Sequence, residues 1–126
     1  MNTVRGLLVA ISFLTRIPIR HRHEPSIGLA APWFPAVGLL VGTIVGATAW
    51  SVGSLTTPLV GSAVGVLLGV LVTGAFHEDG LADIADAFVG GWNVEDRLRI
   101  LKDPLHGSYG VAALSGSIIL RIIALG

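Results

Sequence analysis

The sequence predicts an all-α, polytopic membrane helix bundle, and three observations carry that prediction. Hydrophobic residues make up 52% of the 126-residue chain and charged residues only 13%, with a mean hydropathy of +0.79; in soluble domains roughly a quarter of residues are charged. No ionisable side chain occurs from Ala31 to Phe76, which leaves room for two spans of about 20 residues each. Glycine recurs at every fourth position, as Gly38, Gly42, Gly46 and again as Gly61, Gly65, Gly69, a spacing that lets helix backbones approach closely in lipid. At this length the chain reads as one integral-membrane domain, residues 1–126.

The elements follow in order. The apolar run Gly6 to Leu14 is too short to cross a bilayer, so Val4 to Leu14 reads as an interfacial or partly inserted helix. It leads into Thr15-Arg16-Ile17-Pro18 rather than a small-residue cleavage site, which argues against a removable signal peptide. The first span runs from about Trp33 to Val52 and the second from about Pro58 to Phe76. The connector, Ser51 to Pro58, holds small, hydroxyl and proline residues without charge, so the two spans form a tight Gly-rich hairpin. An acidic helix follows over His77 to Asp86. Asn93 then caps a short amphipathic helix, with Glu95 and Asp96 in its first turn and Val94, Leu98 and Leu101 at i, i+4 and i+7. Asp103-Pro104 ends that helix, Leu105 to Gly110 turns, and Val111 to Gly126 begins a further span containing Arg121. The sequence stops inside that span and reads as truncated at its C-terminus.

Charge sets topology and excludes some functions. Eight basic and eight acidic residues give zero net charge, so no field for nucleic acid is present. Arg5, Arg16, Arg20 and Arg22 precede the hairpin and Arg97, Arg99 and Lys102 follow it. Lys and Arg concentrate in cytoplasmic loops, so both flanks are expected to face the cytoplasm, with the acidic helix on that side. Cysteine is absent, which leaves carboxylate and imidazole as the strong metal ligands.

Half of the eight carboxylates fall in the window His77 to Asp86. Asp79, Asp83 and Asp86 stand at i, i+4 and i+7, one face of a helix. Three like charges beside lipid need a compensator, and a hard divalent cation such as Mg²⁺ supplies it through carboxylates and substrate phosphates. A solvated acidic face is the alternative. Glu78 points about 100° away, toward an outer position. His77 is a candidate metal ligand, phosphate contact or interfacial polar anchor. Arg97, Arg99 and Lys102 bring cations of the kind that, together with a metal, stabilise a transferring phosphoryl group, and Asp103 adds another carboxylate; topology alone accounts for Arg97. His21-Arg22-His23-Glu24 has metal-binding residue types, but no ligand spacing, and reads as a solvated loop.

Four stretches in order carry a resemblance: Phe13-Leu14-Thr15-Arg16-Ile17-Pro18, Trp33-Phe34-Pro35-Ala36-Val37-Gly38, Phe76 through Asp86, and Leu101-Lys102-Asp103 with Gly107-Ser108-Tyr109-Gly110. In these the chain resembles the cobalamin synthases, the adenosylcobinamide-GDP ribazoletransferases, over their N-terminal half. The resemblance implies a Mg²⁺-dependent inner-membrane transferase. It would join α-ribazole, or its 5′-phosphate, to adenosylcobinamide-GDP, the ribazole 3′-hydroxyl attacking the phosphorus that bears cobinamide and GMP leaving. It also implies Asp79, Asp83 and Asp86 as metal ligands, Asp83, Asp103 and Lys102 as catalytic candidates, and His77, Arg99 and Lys102 as substrate contacts. Ala87 stands where the family pattern has glycine after the third carboxylate, and family members continue through further spans.

Two other readings use the same acidic face. A CDP-alcohol-type phosphotransferase also places an aspartate-rich helix beside membrane spans, but its Ala-Arg pair and later paired aspartates are absent here. A membrane cation transporter component would place carboxylates within broken spans rather than after one. The lipid bilayer is the expected environment, nucleic acid is not an expected partner, and a homo-oligomer is left open.

Overall fold

The computed structural model describes residues 2–20 and 24–126, and among these every regular element is a helix. Of the loop His21-Arg22-His23-Glu24, the first three residues lie outside the described residues; Glu24 is exposed, and its carbonyl accepts a hydrogen bond from the Arg5 guanidinium at 2.9 Å.

The chain opens with α1 (Asn2–Leu14) and then the single turn α2 (Ile27–Ala30). A 3-10 turn over Ala31–Trp33 connects α2 to α3 (Phe34–Leu55), so that Ile27–Leu55 forms one long apolar helical run. Pro32 and Pro35 sit in the first turns of their helices, where no backbone N–H is missed. Val9 and Ala10 of α1, Ala30 of α2 and Val37 of α3 make a buried core, flanked by Leu14, Trp33 and Phe34. The short apolar helix α1 therefore packs one face on the α2–α3 run.

The connector reverses the chain at Thr56 and Thr57. Thr57 caps α4 (Pro58–Thr73) by accepting from the Val60 amide at 3.3 Å, and Pro58 occupies the first helical position. Gly61, Gly65 and Gly69 of α4 pack against α3 so closely that a Cβ on any of them would stand within 2.8 Å of Val45, Ala49 or Gly53. The α3 glycines behave differently. A Cβ at Gly38, Gly42 or Gly46 would meet nothing within 4 Å, so α4 supplies the recurring glycines of this interface and α3 meets them with Val45, Ala49 and Gly53 instead.

The second span was expected to reach Phe76, but α4 ends at Thr73. Gly74 (φ 67°) and Ala75 (φ 60°) are both left-handed, and their amides return to the carbonyls of Leu71 at 3.2 Å and Val70 at 2.9 Å. The chain turns by 89° there into α5 (Phe76–Gly90). Phe13 fixes the elbow from α1, stacking on Phe34 and meeting Phe76 edge to face, with ring centroids 5.8 and 5.4 Å apart.

Helix α6 (Val94–Ile100) starts as its sequence indicates, with the Asn93 side chain accepting from the Asp96 amide at 2.8 Å. Arg97 folds back, its Nε donating to the Gly91 carbonyl at 3.1 Å and its guanidinium lying over the Phe88 ring. Helix α7 (Ser108–Leu125) then packs on α5 and α4. The run Ile27–Leu55 and α7 are each long and apolar enough to cross a membrane, and α4 with α5 makes a third, bent path. The protein is an all-α membrane protein.

Candidate metal centre

The acidic helix α5 has one face toward solvent and one toward α7, and its four carboxylates divide between them. Asp79 and Asp83, one turn apart, point to the loop between α6 and α7, where His106 lies between them. Its Nε2 is 3.5 Å from Asp79 Oδ1 and its Nδ1 is 3.6 Å from Asp83 Oδ1. One ligand atom from each of the three residues falls within 4.8 Å of the others. The Asp79 side chain is 66% exposed and that of Asp83 31%, so the group is open to water and to a ligand.

Asp86, the third aspartate of the expected face, is buried and turned to the base of α7. Its two oxygens accept from the Gly107 amide at 2.6 Å and the Gly110 amide at 2.8 Å. Helix α7 has no side-chain cap of its own from Gly107, so a carboxylate from another helix does that work and answers the positive end of the helix dipole. A Cβ at Gly107 or Gly110 would collide with Asp86; these glycines are needed for close approach. Because Gly107 adjoins His106, the same bonds hold the imidazole opposite Asp79 and Asp83.

Glu78 faces away from this group, as its 100° offset indicates. It is buried and pairs with Arg121 Nη1 of α7 at 2.9 Å, while its Oε2 is buried without a hydrogen-bond partner among the described residues. The pair closes one end of an apolar cavity of about 660 Å³ between α3, α4 and α7, which His77 also lines. His77 thus lies on the far side of α5 from the aspartates that it was expected to assist, edge-on to the Phe76 ring.

The remaining candidates lie around the return loop. Asp103 accepts from the Leu105 amide at 3.0 Å and so shapes the turn that delivers His106. Lys102 and Asp103 are exposed, and Arg99, exposed on α6, reaches back to Asp96 at 3.2 Å. Among the described residues no ion pair joins Arg99 or Lys102 to Asp79, Asp83 or Asp86.

His106 is the residue that sequence reasoning missed, having been read only as part of a turn. Its signal was faint: an imidazole directly before a glycine at the mouth of a span. The donor set of two carboxylates at i, i+4 with open solvent access fits a hard divalent cation that keeps water or phosphate oxygens in its shell. Imidazole is a softer ligand, better suited to Zn²⁺ than to Mg²⁺ or Mn²⁺, so with Mg²⁺ its natural part is to orient the carboxylates or contact phosphate.

The family model described as cobalamin-5-phosphate synthase matches residues 6–126. The chain is 45% identical to an adenosylcobinamide-GDP ribazoletransferase of Shewanella frigidimarina over 116 residues, 90% of this chain and 44% of the relative. It is 44% identical to one of Ralstonia nicotianae, covering 93% of this chain and 47% of that protein, and 42% identical to one of Pelodictyon phaeoclathratiforme, covering 95% and 47%. The chain thus spans a little under half the length of these relatives. No solved structure matches it.

Proposed function

The chain belongs to the cobalamin-5-phosphate synthase family, and from that premise we propose that it carries the metal and diphosphate end of an adenosylcobinamide-GDP ribazoletransferase. The substrates are adenosylcobinamide-GDP and α-ribazole or its 5′-phosphate; the products are the corresponding cobalamin, or its phosphate, and GMP. The observation that supports this most is the convergence of Asp79, Asp83 and His106, from two elements, on one open site.

Asp79 and Asp83 would hold Mg²⁺, which when bound neutralises charge on the diphosphate. The chain's own residues do the rest. Asp86 fixes the Gly107 to Gly110 backbone and with it His106. Asp103 sets the turn before His106, and with its carboxylate exposed it remains the candidate acceptor for the proton of the attacking ribazole hydroxyl. As the new oxygen–phosphorus bond forms, the bond from phosphorus to the GMP oxygen breaks. Lys102 and Arg99 are exposed cations suited to the outer phosphate. We place the site on the cytoplasmic side of the inner membrane, where the nucleotide substrate is held in solution, in accord with the basic flanks of the hairpin.

The test is GMP release by the membrane-reconstituted protein supplied with both substrates. Release should require Mg²⁺ and disappear in Asp83→Asn while helical content is kept. Undiminished release by that variant would defeat the metal assignment, and cation flux into liposomes without any GMP release would support the transporter instead.

A further inference from the structure

We propose that the polar cavity between the end of α1 and the α4–α5 elbow is a phosphate subsite, with Arg16 as its cation. The inference rests on the function proposed above and adds a residue to it. The cavity, about 450 Å³, is lined by Arg16, Gly74, Ala75, Phe76 and Asp79 among others. Asp79 therefore belongs to two places at once: one side of its carboxylate faces His106, and its residue also walls this cavity. A diphosphate can be reached from both.

Arg16 is held for such a role by its backbone rather than by a counter-charge. Its amide donates to the Val72 carbonyl at 2.7 Å, tying the chain just past α1 to the last turn of α4. Its side chain then runs across Gly74, so closely that a Cβ there would collide with Cγ, Cδ and Nε. The left-handed glycine leaves the space for this stem. Among the described residues Arg16 takes part in no ion pair, whereas Arg99 and Arg121 each have a carboxylate. Helix α5 starts at the same cavity wall with left-handed Ala75 at its N-cap and no side-chain cap. A guanidinium without an ion pair among the described residues, lining the same cavity as a carboxylate that would hold a divalent cation, offers the pairing by which charge on two adjacent phosphates is shared.

An anionic lipid headgroup presents the same phosphate chemistry, so the experiment separates the two sources. The protein in phosphatidylcholine nanodiscs is titrated calorimetrically with inorganic pyrophosphate in the presence of Mg²⁺. The wild type should bind, Arg16→Gln should bind at least tenfold more weakly, Arg16→Lys should recover part of the loss, and Arg20→Gln should match the wild type. Absence of wild-type binding, or equal binding by wild type and Arg16→Gln, overturns the proposal. So does an Arg16-dependent retention of phosphatidylglycerol that leaves pyrophosphate binding untouched, since Arg16 then serves the lipid. Asp83→Asn reports on the underlying reading separately. If it binds as the wild type does while Arg16→Gln does not, the metal assignment fails and the subsite stands; the reverse pattern fails the subsite alone. Circular dichroism of each variant, with Arg16→Lys as the charge-preserving control, keeps misfolding from passing as a lost contact.

Discussion

Asp83 and Asp86 are one turn apart and bear the same side chain, yet burial gives them different work. Asp83 is partly exposed beside His106, and Asp79 shares that side. Removing the charge of Asp83 should abolish the paramagnetic signature of bound Mn²⁺, used as a probe for Mg²⁺, with little change in thermal stability. His106→Gln removes a group that orients both carboxylates and should weaken Mn²⁺ binding about 10- to 100-fold, as loss of an outer-shell partner does. Asp86 behaves otherwise, because its oxygens are committed to two backbone amides of the α7 start. Asp86→Ala should cost about 3 kcal/mol, the scale of lost hydrogen bonds to a buried charged group. The specific readout is hydrogen exchange: the Gly107 and Gly110 amides should lose protection while those of α3 and α4 keep theirs. Unchanged protection at those two amides would show that Asp86 is not the anchor of α7.

Among the elements, the α4–α5 elbow sets the site's position. At about 1.5 Å per residue, the 16 residues of α4 reach about 24 Å, short of the ~30 Å hydrocarbon core, and the turn then carries the carboxylates of α5 sideways. Two left-handed residues make the turn, and only one is glycine. An L-residue with a Cβ pays about 1–2 kcal/mol in that region, so Ala75→Gly should raise the unfolding midpoint by the equivalent of about 1 kcal/mol. Gly74→Ala should do the reverse and more, since its Cβ would also strike the Arg16 side chain. The elbow was not legible beforehand. No ionisable side chain interrupts Pro58 to Phe76, and hydropathy registers no change of direction; the backbone angles at Gly74 and Ala75 decide it. Local signals served better where they act through one side chain, as at Asn93, whose cap formed where its sequence places it.

For the whole molecule, what could be read from sequence was what depends on spacing along one helix, and what could not was what depends on two helices meeting. The i, i+4 relation put Asp79 and Asp83 together and the offset of Glu78 turned it away, whereas Asp86, expected on the same face at i+7, is taken up by the Gly107 and Gly110 amides where α7 docks. Nothing local to residues 105–110 indicated that α7 would dock on α5, so neither His106 beside the aspartates nor Arg121 against Glu78 was visible. Orientation in the bilayer is a property of the whole chain and follows from charge asymmetry. Arg16 and Arg20 before the hairpin and Arg97, Arg99 and Lys102 after it stand against an uncharged turn at Thr56 and Thr57, and each such cation resists translocation. The absence of cysteine makes this directly measurable. A single cysteine at Thr56 should react with a membrane-impermeant maleimide in intact cells, and one at Leu105, which is 78% exposed on the His106 loop, should react only after lysis. The opposite pattern would put the aspartates on the outer face, away from nucleotide substrates, and with that the proposed transfer could not take place there.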